Sequence, residues 1–385
     1  MKITGEWIES PATQSVCTAL EENGYQALFV GGCVRNALLG VPIQDIDIAT
    51  DAKPQQVLEV FEQKRFKTAP TGIEHGTVTV VSGGTPFEIT TFRKDVETDG
   101  RRAVVNFSNN VETDAKRRDF TINAIYARPD GEVLDPLHGM PDIEARRVRF
   151  IEDPETRIRE DYLRILRFFR FHASYGDASR GLDPEGLAAC ARLHSGIETL
   201  SRERVGSEMR KLLATRDPTE SVMAMAHAGV LDAVIEDAND TALARLIDVE
   251  SQMDIVHDAM RRLAALGGED VPERLRLSRK DARTLEILSR ETSNKKPASE
   301  LGYRLGEKLG IDVLALSAAR LGGFVQDKDL VAVRIGSAVE FPIKSSDLKP
   351  FFQGKELGDQ LRKLEDIWIA SDFQLSKEQL LRRMS

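Results

Sequence analysis

The stretch LFVGGCVRNALLGVPIQDIDIAT, residues 28–50, holds an apolar run, the pair Gly31-Gly32, Arg35, and two aspartates, Asp45 and Asp47, around Ile46. ALFVGG predicts a strand ending in a turn. CVRNALLG predicts one short helix closed by Gly40, and DIDIAT a second strand. Alternate side chains of a strand share a face. Asp45 and Asp47 therefore point one way, and Ile46 and Ile48 point into the core. Carboxylates side by side repel and raise each other's pKa. A bound Mg²⁺ removes that conflict, because it takes hard oxygen ligands and rests on one or two carboxylates plus substrate phosphates.

The glycine pair fits the same chemistry. It lets backbone N–H groups approach a triphosphate at the start of a helix whose dipole favours anions. Arg35, one turn into that helix, reaches the same phosphates. Glu88 sits in FEI with apolar neighbours on both sides, another strand position. Asp45, Asp47 and Glu88 with the Gly-Gly turn make a two-metal nucleotidyl-transfer site, with Asp45 and Asp47 as metal ligands. Such transfer needs mainly positioning and charge neutralisation. A lone D-x-D or Gly-Gly is ordinary surface chemistry; the two at this spacing, followed by h-E-h, are far more restrictive.

Outward from this stretch, KPQQVLEVFEQK predicts a helix, and HGTVTVVSGG and PFEITTF predict strands with a Gly-Gly turn between them. From EARRVRFIEDPETRIREDYLRILRFFRF onward the pattern is helical. Breaks containing proline fall near 216–218, 271–273 and 340–350. The expected plan is an α/β head followed by an elongated helical body. A chain of 385 residues, 41% apolar and 30% charged, is long enough for two or more domains with sizeable cores. Its net charge of −9 does not by itself suggest a nucleic-acid partner, but a local basic face matters more than the total. Cys17, Cys33 and Cys190 have neither disulfide nor zinc spacing, which points to a reducing cytoplasm. MKITGEWIES lacks the apolar core of a signal peptide. No run is apolar for the ~18 residues of a membrane helix, so no membrane partner is expected, and no oligomeric state is specified.

The motif VGGCVRNALLGVPIQDIDIAT resembles the head motif of the class II tRNA nucleotidyltransferase and bacterial poly(A) polymerase family. Further matches follow in order. RRDFTINAI (117–125) is similar to the ribose-sensing motif and DPLHGMPDI (135–143) to the hinge motif. EDYLRILRFFRF (160–171) is similar to the base-reading motif, and SRERVGSEMRKLL (201–213) to the helix-stabilising motif after it. The resemblance is strong over about residues 25–215; beyond, GKELGDQLRKLEDIWIASDF is similar to the family's tail. It implies an α+β multidomain fold, with a polymerase-β-like nucleotidyltransferase head (1–143), a helical neck (144–212), a helical body (213–300) and a helical, tRNA-binding tail (301–385). It implies Mg²⁺-dependent addition of C, C and A to tRNA from CTP and ATP. The family usually has Asp after the head arginine; here Asn36 stands there and carries no charge.

Physical reading of these motifs extends the site. Arg117, Arg118 and Asp119 can clamp a ribose, the acid accepting from its hydroxyls and an arginine donating to them. Asp161 and Arg164 are three apart in a helical segment and share a face, which Arg167 and Arg170 continue toward the triphosphate or the RNA backbone. An ionised Asp only accepts and an Arg only donates. The pair therefore matches cytosine and adenine edges and mismatches uracil and guanine. The polar stretch 92–114 resembles the family's flexible loop. Arg146, Arg147, Arg149, Arg202, Arg204 and later basic residues suit an RNA backbone or a solvated helix face. A poly(A) polymerase is the alternative. It typically has a Gly-basic-basic-Phe stretch with apolar alternation, whereas QKRFKTAPTG (63–72) has Gln63 for the glycine and Thr68, Ala69 and Pro70 after it. A catalytically silent RNA-binding protein would have lost a carboxylate, and none is lost. A small-molecule nucleotidyltransferase leaves the base-reading helix and the helical body unexplained.

Overall fold

The computed structural model describes residues 1–98 and 103–384. It forms two compact units, Met1–Ala238 with Glu269–Arg276, and Asn239–Gly268 with Leu277–Ser385.

Among the described residues, the first unit is built on nine strands: β1 (Leu28–Val30), β2 (Ile46–Thr50), β3 (Lys67–Gly72), β4 (Thr77–Ser82), β5 (Thr85–Thr91), β6 (Arg93–Thr98), β7 (Ala103–Phe107), β8 (Tyr126–Ala127) and β9 (Val133–Leu134). Seven form one sheet in the order β3-β4-β5-β2-β1-β8-β9. Its β2–β5 pair is parallel and the rest antiparallel. The parallel register places Asp47 beside Glu88, with Ile46 beside Phe87 and Ile48 beside Ile89. Phe87, Ile48 and Ile89 are fully buried, so the apolar residues anchor the face opposite the two acids. β3 lies at the sheet edge. There Pro70, which has no N–H, weakens no interior ladder. β6 and β7 pair separately; the tip of the expected flexible loop, residues 99–102, lies outside the described residues.

The head helix (Gly32–Leu39) follows β1 and ends at Gly40 in the left-handed conformation, φ 68°, as the sequence predicts. β2 begins one residue later than DIDIAT suggests, at Ile46. Continuing the parallel register would set Asp45 beside Pro86, which offers no N–H to extend the ladder. Asp45 therefore stands at the strand mouth, exposed.

The arginine helix (Leu163–Tyr175) carries Arg164, Arg167 and Arg170 on one face and buries Ile165, Leu166, Phe168 and Phe169 on the other. Phe120, just after Asp119, packs against Phe171 and Phe150 at ring-centroid distances of 5.2 and 5.0 Å. Phe150 stacks on Phe168 at 5.3 Å. This aromatic cluster fastens the RRDF segment to the arginine helix.

The second unit is helical. Its core includes Leu246, Leu288, Val313 and Leu316, with a separate cluster around Trp368 and Leu364. Two of its helices, Ala298–Leu321 and Asp327–Ala338, touch backbone to backbone. A Cβ on Gly302 would lie 2.0 Å from the Val333 carbonyl oxygen, and one on Gly336 2.0 Å from that of Ser299. Arg261 bonds to Glu250 and Asp312 at 2.8 and 2.6 Å inside this unit. Among the described residues, no helix is long and apolar enough to cross a membrane.

Candidate active site

Asp47 and Glu88 come together because their strands are parallel neighbours in register. Burial, then the charges of Glu88 and Asp45, push the Asp47 carboxyl up to about 6, against the opposing pull of Arg118 and Arg35. Three acids therefore crowd the central β2–β5 pair of the sheet, which is the donor chemistry of a divalent-cation site. Among the described residues no three His, Cys, Asp or Glu side chains close into a ready-made metal cage. The carboxylates fit a cation whose shell substrate phosphates would complete.

Gly31 has φ 72° and ψ −121°, a conformation glycine alone adopts easily. A Cβ there would lie 3.9 Å from Asp47 Oδ2 and 3.6 Å from Arg118 Nη1. The Gly-Gly turn, the acids and Arg118 therefore share one small space. Arg118 is held by Asp114: its Nη2 donates to Asp114 Oδ2 at 3.0 Å, and Arg117 Nε donates to Oδ1 at 2.8 Å. The Tyr126 hydroxyl donates to the same carboxylate at 2.7 Å. Burial raises the Asp114 carboxyl, but the guanidiniums of Arg118 and Arg117 and the Tyr126 hydroxyl outweigh it and hold it at about 2.

One expectation is corrected here, the continuous helix through Asp161, and two other expected residues have protein partners of their own. Asp119 was expected to accept from a ribose. Its Oδ1 takes the Phe120 N–H and Asn123 Nδ2, both at 2.9 Å, and its Oδ2 takes Nε (2.8 Å) and Nη2 of Arg167. Four donors occupy this carboxylate's acceptor sites, and they fix it against Arg167. Arg35 was expected to face the phosphates. It is only 6% exposed and is held by Asn36, Asn123 and Tyr175. Asp161 and Arg164 were expected to lie on one continuous helix. The chain breaks at Asp161, which is extended at φ −155°. Its Oδ1 accepts from the Leu163 N–H at 3.1 Å and its Oδ2 from Arg204 Nη2 at 2.6 Å. Arg164 Nη1 donates to Glu160 at 2.5 Å.

The arginines of the helix are thus each held by an acid from a different element: Arg164 by Glu160, Arg167 by Asp119, and Arg170 by Glu208 at 2.5 Å. Glu208 and Arg204 are four apart on the bracing helix (Arg202–Leu213), so they share a face. One face of this helix thereby grips both ends of the base-reading segment. Asp114, Asn123, Tyr175, Glu160 and Glu208 were not singled out from the sequence. Glu208 and Arg204 at i, i+4 were the one available signal.

A mixed sheet presenting paired carboxylates beside a glycine turn, with a helix of braced arginines behind it, defines a nucleotidyltransferase. Residues 27–149 match the Poly A polymerase head domain, and residues 181–241 match the probable RNA and SrmB-binding site of polymerase A. The zebrafish (Danio rerio) mitochondrial CCA tRNA nucleotidyltransferase 1 is 32% identical over 95% of this chain and 88% of its own length. The CCA-adding enzyme of Streptococcus pneumoniae strain CGSP14 is 40% identical over 65% of this chain and 62% of its own. The structure of the Bacillus stearothermophilus CCA-adding enzyme in complex with CTP superposes with a TM-score of 0.74 at 26% identity, covering 97% of this chain and 98% of that one. The chain belongs to the family of CCA-adding tRNA nucleotidyltransferases.

Proposed function

We propose that this chain adds C, C and A in turn to the 3′ end of tRNA, using CTP and ATP and releasing pyrophosphate. The observation that carries this reading is the Asp47–Glu88 register pair beside the Gly31 turn. Asp45 and Asp47 would hold Mg²⁺, which when bound neutralises phosphate charge and polarises the α-phosphate. The turn's N–H groups cradle the triphosphate, with the buried charge of Arg35 behind it. Arg118 faces the sugar. Glu88, exposed beside Asp47, takes the proton as the RNA 3′-oxygen bonds to the α-phosphorus and the bond to pyrophosphate breaks.

Asp161 and Arg164 select the base. Asp161 accepts from the exocyclic amine of C or A, and Arg164 donates to the neighbouring ring nitrogen. Uracil and guanine present the reverse pattern, and unpaired buried groups cost about 1–3 kcal/mol each. Arg167 and Arg170, braced by Asp119 and Glu208, line the nucleotide's path with positive charge. We assign residues 1–143 to the head, 144–212 to the neck, 213–300 to the body and 301–385 to a tRNA-binding tail. Three free, buried cysteines support a cytoplasmic setting.

The test is incubation with tRNA transcripts ending before CCA, each NTP separately and then together, with products read on a sequencing gel. C and A should be incorporated and U and G refused. A long run of A would instead indicate a poly(A) polymerase.

A further inference from the structure

Arg35 is a buried guanidinium whose hydrogen bonds all go to neutral oxygens. Its Nη1 donates to Asn123 Oδ1 at 2.5 Å, its Nε and Nη2 to Asn36 Oδ1 at 3.2 and 2.8 Å, and its Nη2 also to the Tyr175 hydroxyl at 2.8 Å. The guanidinium carbon lies 3.9 Å from the Tyr175 ring centroid and 5.2 Å from that of Phe171. Asp119 acts on it through the field, but is joined to it only through Asn123, whose Nδ2 donates to Asp119 Oδ1.

Burying a charge without a paired counter-charge costs stability. An apolar contact would fasten these helices at less cost, so packing alone does not account for the arrangement. The position of the charge does. A Cβ on Gly32 would lie 3.8 Å from Arg35 Nη2, so one edge of the guanidinium lies beside the glycine turn. Toward the arginine helix it contacts Phe171 and Tyr175, the last residue of that helix, and, through Asn123 and Asp119, Arg167 in its middle. One side chain therefore sets the spacing between the turn that holds the triphosphate and the helix that reads the base.

We propose that Tyr175 and Asn123 are positioning residues for base selection: through Arg35 they hold the arginine helix at a fixed distance from the glycine turn. The base is then measured against Asp161 and Arg164 only while the triphosphate is seated. The inference rests on the nucleotide-transfer reading above. It predicts that loosening this linkage degrades discrimination and not only stability.

Tyr175→Phe keeps the ring, its contact with Phe171 at 5.6 Å and its face toward Arg35, and removes only the hydroxyl acceptor. In the full-length chain, single-nucleotide kinetics on a tRNA ending before CCA should show kcat/KM for CTP falling about tenfold. That is the scale of one lost hydrogen bond to a charged group. The CTP-to-UTP preference should fall by a similar factor, with the melting temperature within about 3 °C of wild type. Asn123→Ala cuts the bridge between Arg35 and Asp119 and should move the preference the same way. An unchanged preference in both variants, whether or not the melting temperature drops, would leave the linkage merely structural and overturn the inference alone. Failure of the wild type to transfer CTP would remove the transfer reading and this inference with it.

Discussion

Arg204 donates from Nη2 to Oδ2 of Asp161 at 2.6 Å, so the acid that would face the incoming base is held by the bracing helix and not by its sequence neighbour Arg164. The other oxygen of Asp161 accepts from the N–H of Leu163 and opens the arginine helix. The acid therefore arrives at the base already oriented. Arg204→Ala should leave it to be ordered by each substrate, at about 1.5–3 kcal/mol for a charge-assisted bond. We expect kcat/KM for CTP and ATP to fall at least tenfold, with KM carrying most of the change. Steady-state kinetics check this, and an unaltered KM would contradict it.

Asp47→Ala and Asp45→Ala should each abolish nucleotide transfer while the fold survives, because Ile46 and Ile48 carry the strand's packing. Chelation of divalent ions should stop the wild-type reaction and added Mg²⁺ restore it. Circular dichroism checks the fold and primer extension the activity. Near wild-type turnover in either variant would move the metal site elsewhere.

Asp114 ties acid stability to Arg117 and Arg118, which both donate to it. Its carboxyl is held at about 2 in the folded chain, below the ordinary value of 3.8. A depressed folded pKa stabilises fully above the ordinary value, and the contribution is lost as pH falls through the folded one. The window therefore runs from near pH 4 down to near pH 2, and the linkage is about 2 kcal/mol at neutral pH. Asp114→Asn should be less stable at pH 7 and lose less on acidification. Urea unfolding between pH 7 and pH 3 measures both; equal slopes for variant and wild type would contradict the assignment.

How much of this was legible follows from how local each feature is. The Gly-Gly turn, the head helix ending at Gly40 and the inward isoleucines were readable, because strand alternation and helix punctuation are written within a few residues. The pairing of Asp47 with Glu88 needed the parallel register, which no local pattern encodes. The break at Asp161 was hidden, because a helical run of Leu, Ile, Arg and Phe continues through it. Only the side-chain cap on Leu163 and the distant Arg204 end one helix and start another. The partners of Asp119 were hidden for a related reason: Arg167, which donates to it, lies 48 residues away.

In the second unit, Gly336→Ala should drive a methyl group into the Ser299 carbonyl, which a Cβ would approach at 2.0 Å. Backbone cannot yield as a flexible side chain does, so we expect a loss of about 2–3 kcal/mol and a fall of about 5–10 °C in that unit's melting transition. Scanning calorimetry measures it. A transition within a degree of wild type would show that the two helices part readily.

Asp161→Ala tests most directly whether protein side chains take the place of a nucleic-acid template. Single-nucleotide incorporation is measured with all four NTPs on tRNA transcripts ending before CCA. Incorporation of C and A should fall and rejection of U and G relax, because the acceptor that distinguishes an amino edge from a carbonyl edge is gone. Selectivity equal to that of the wild type would contradict it.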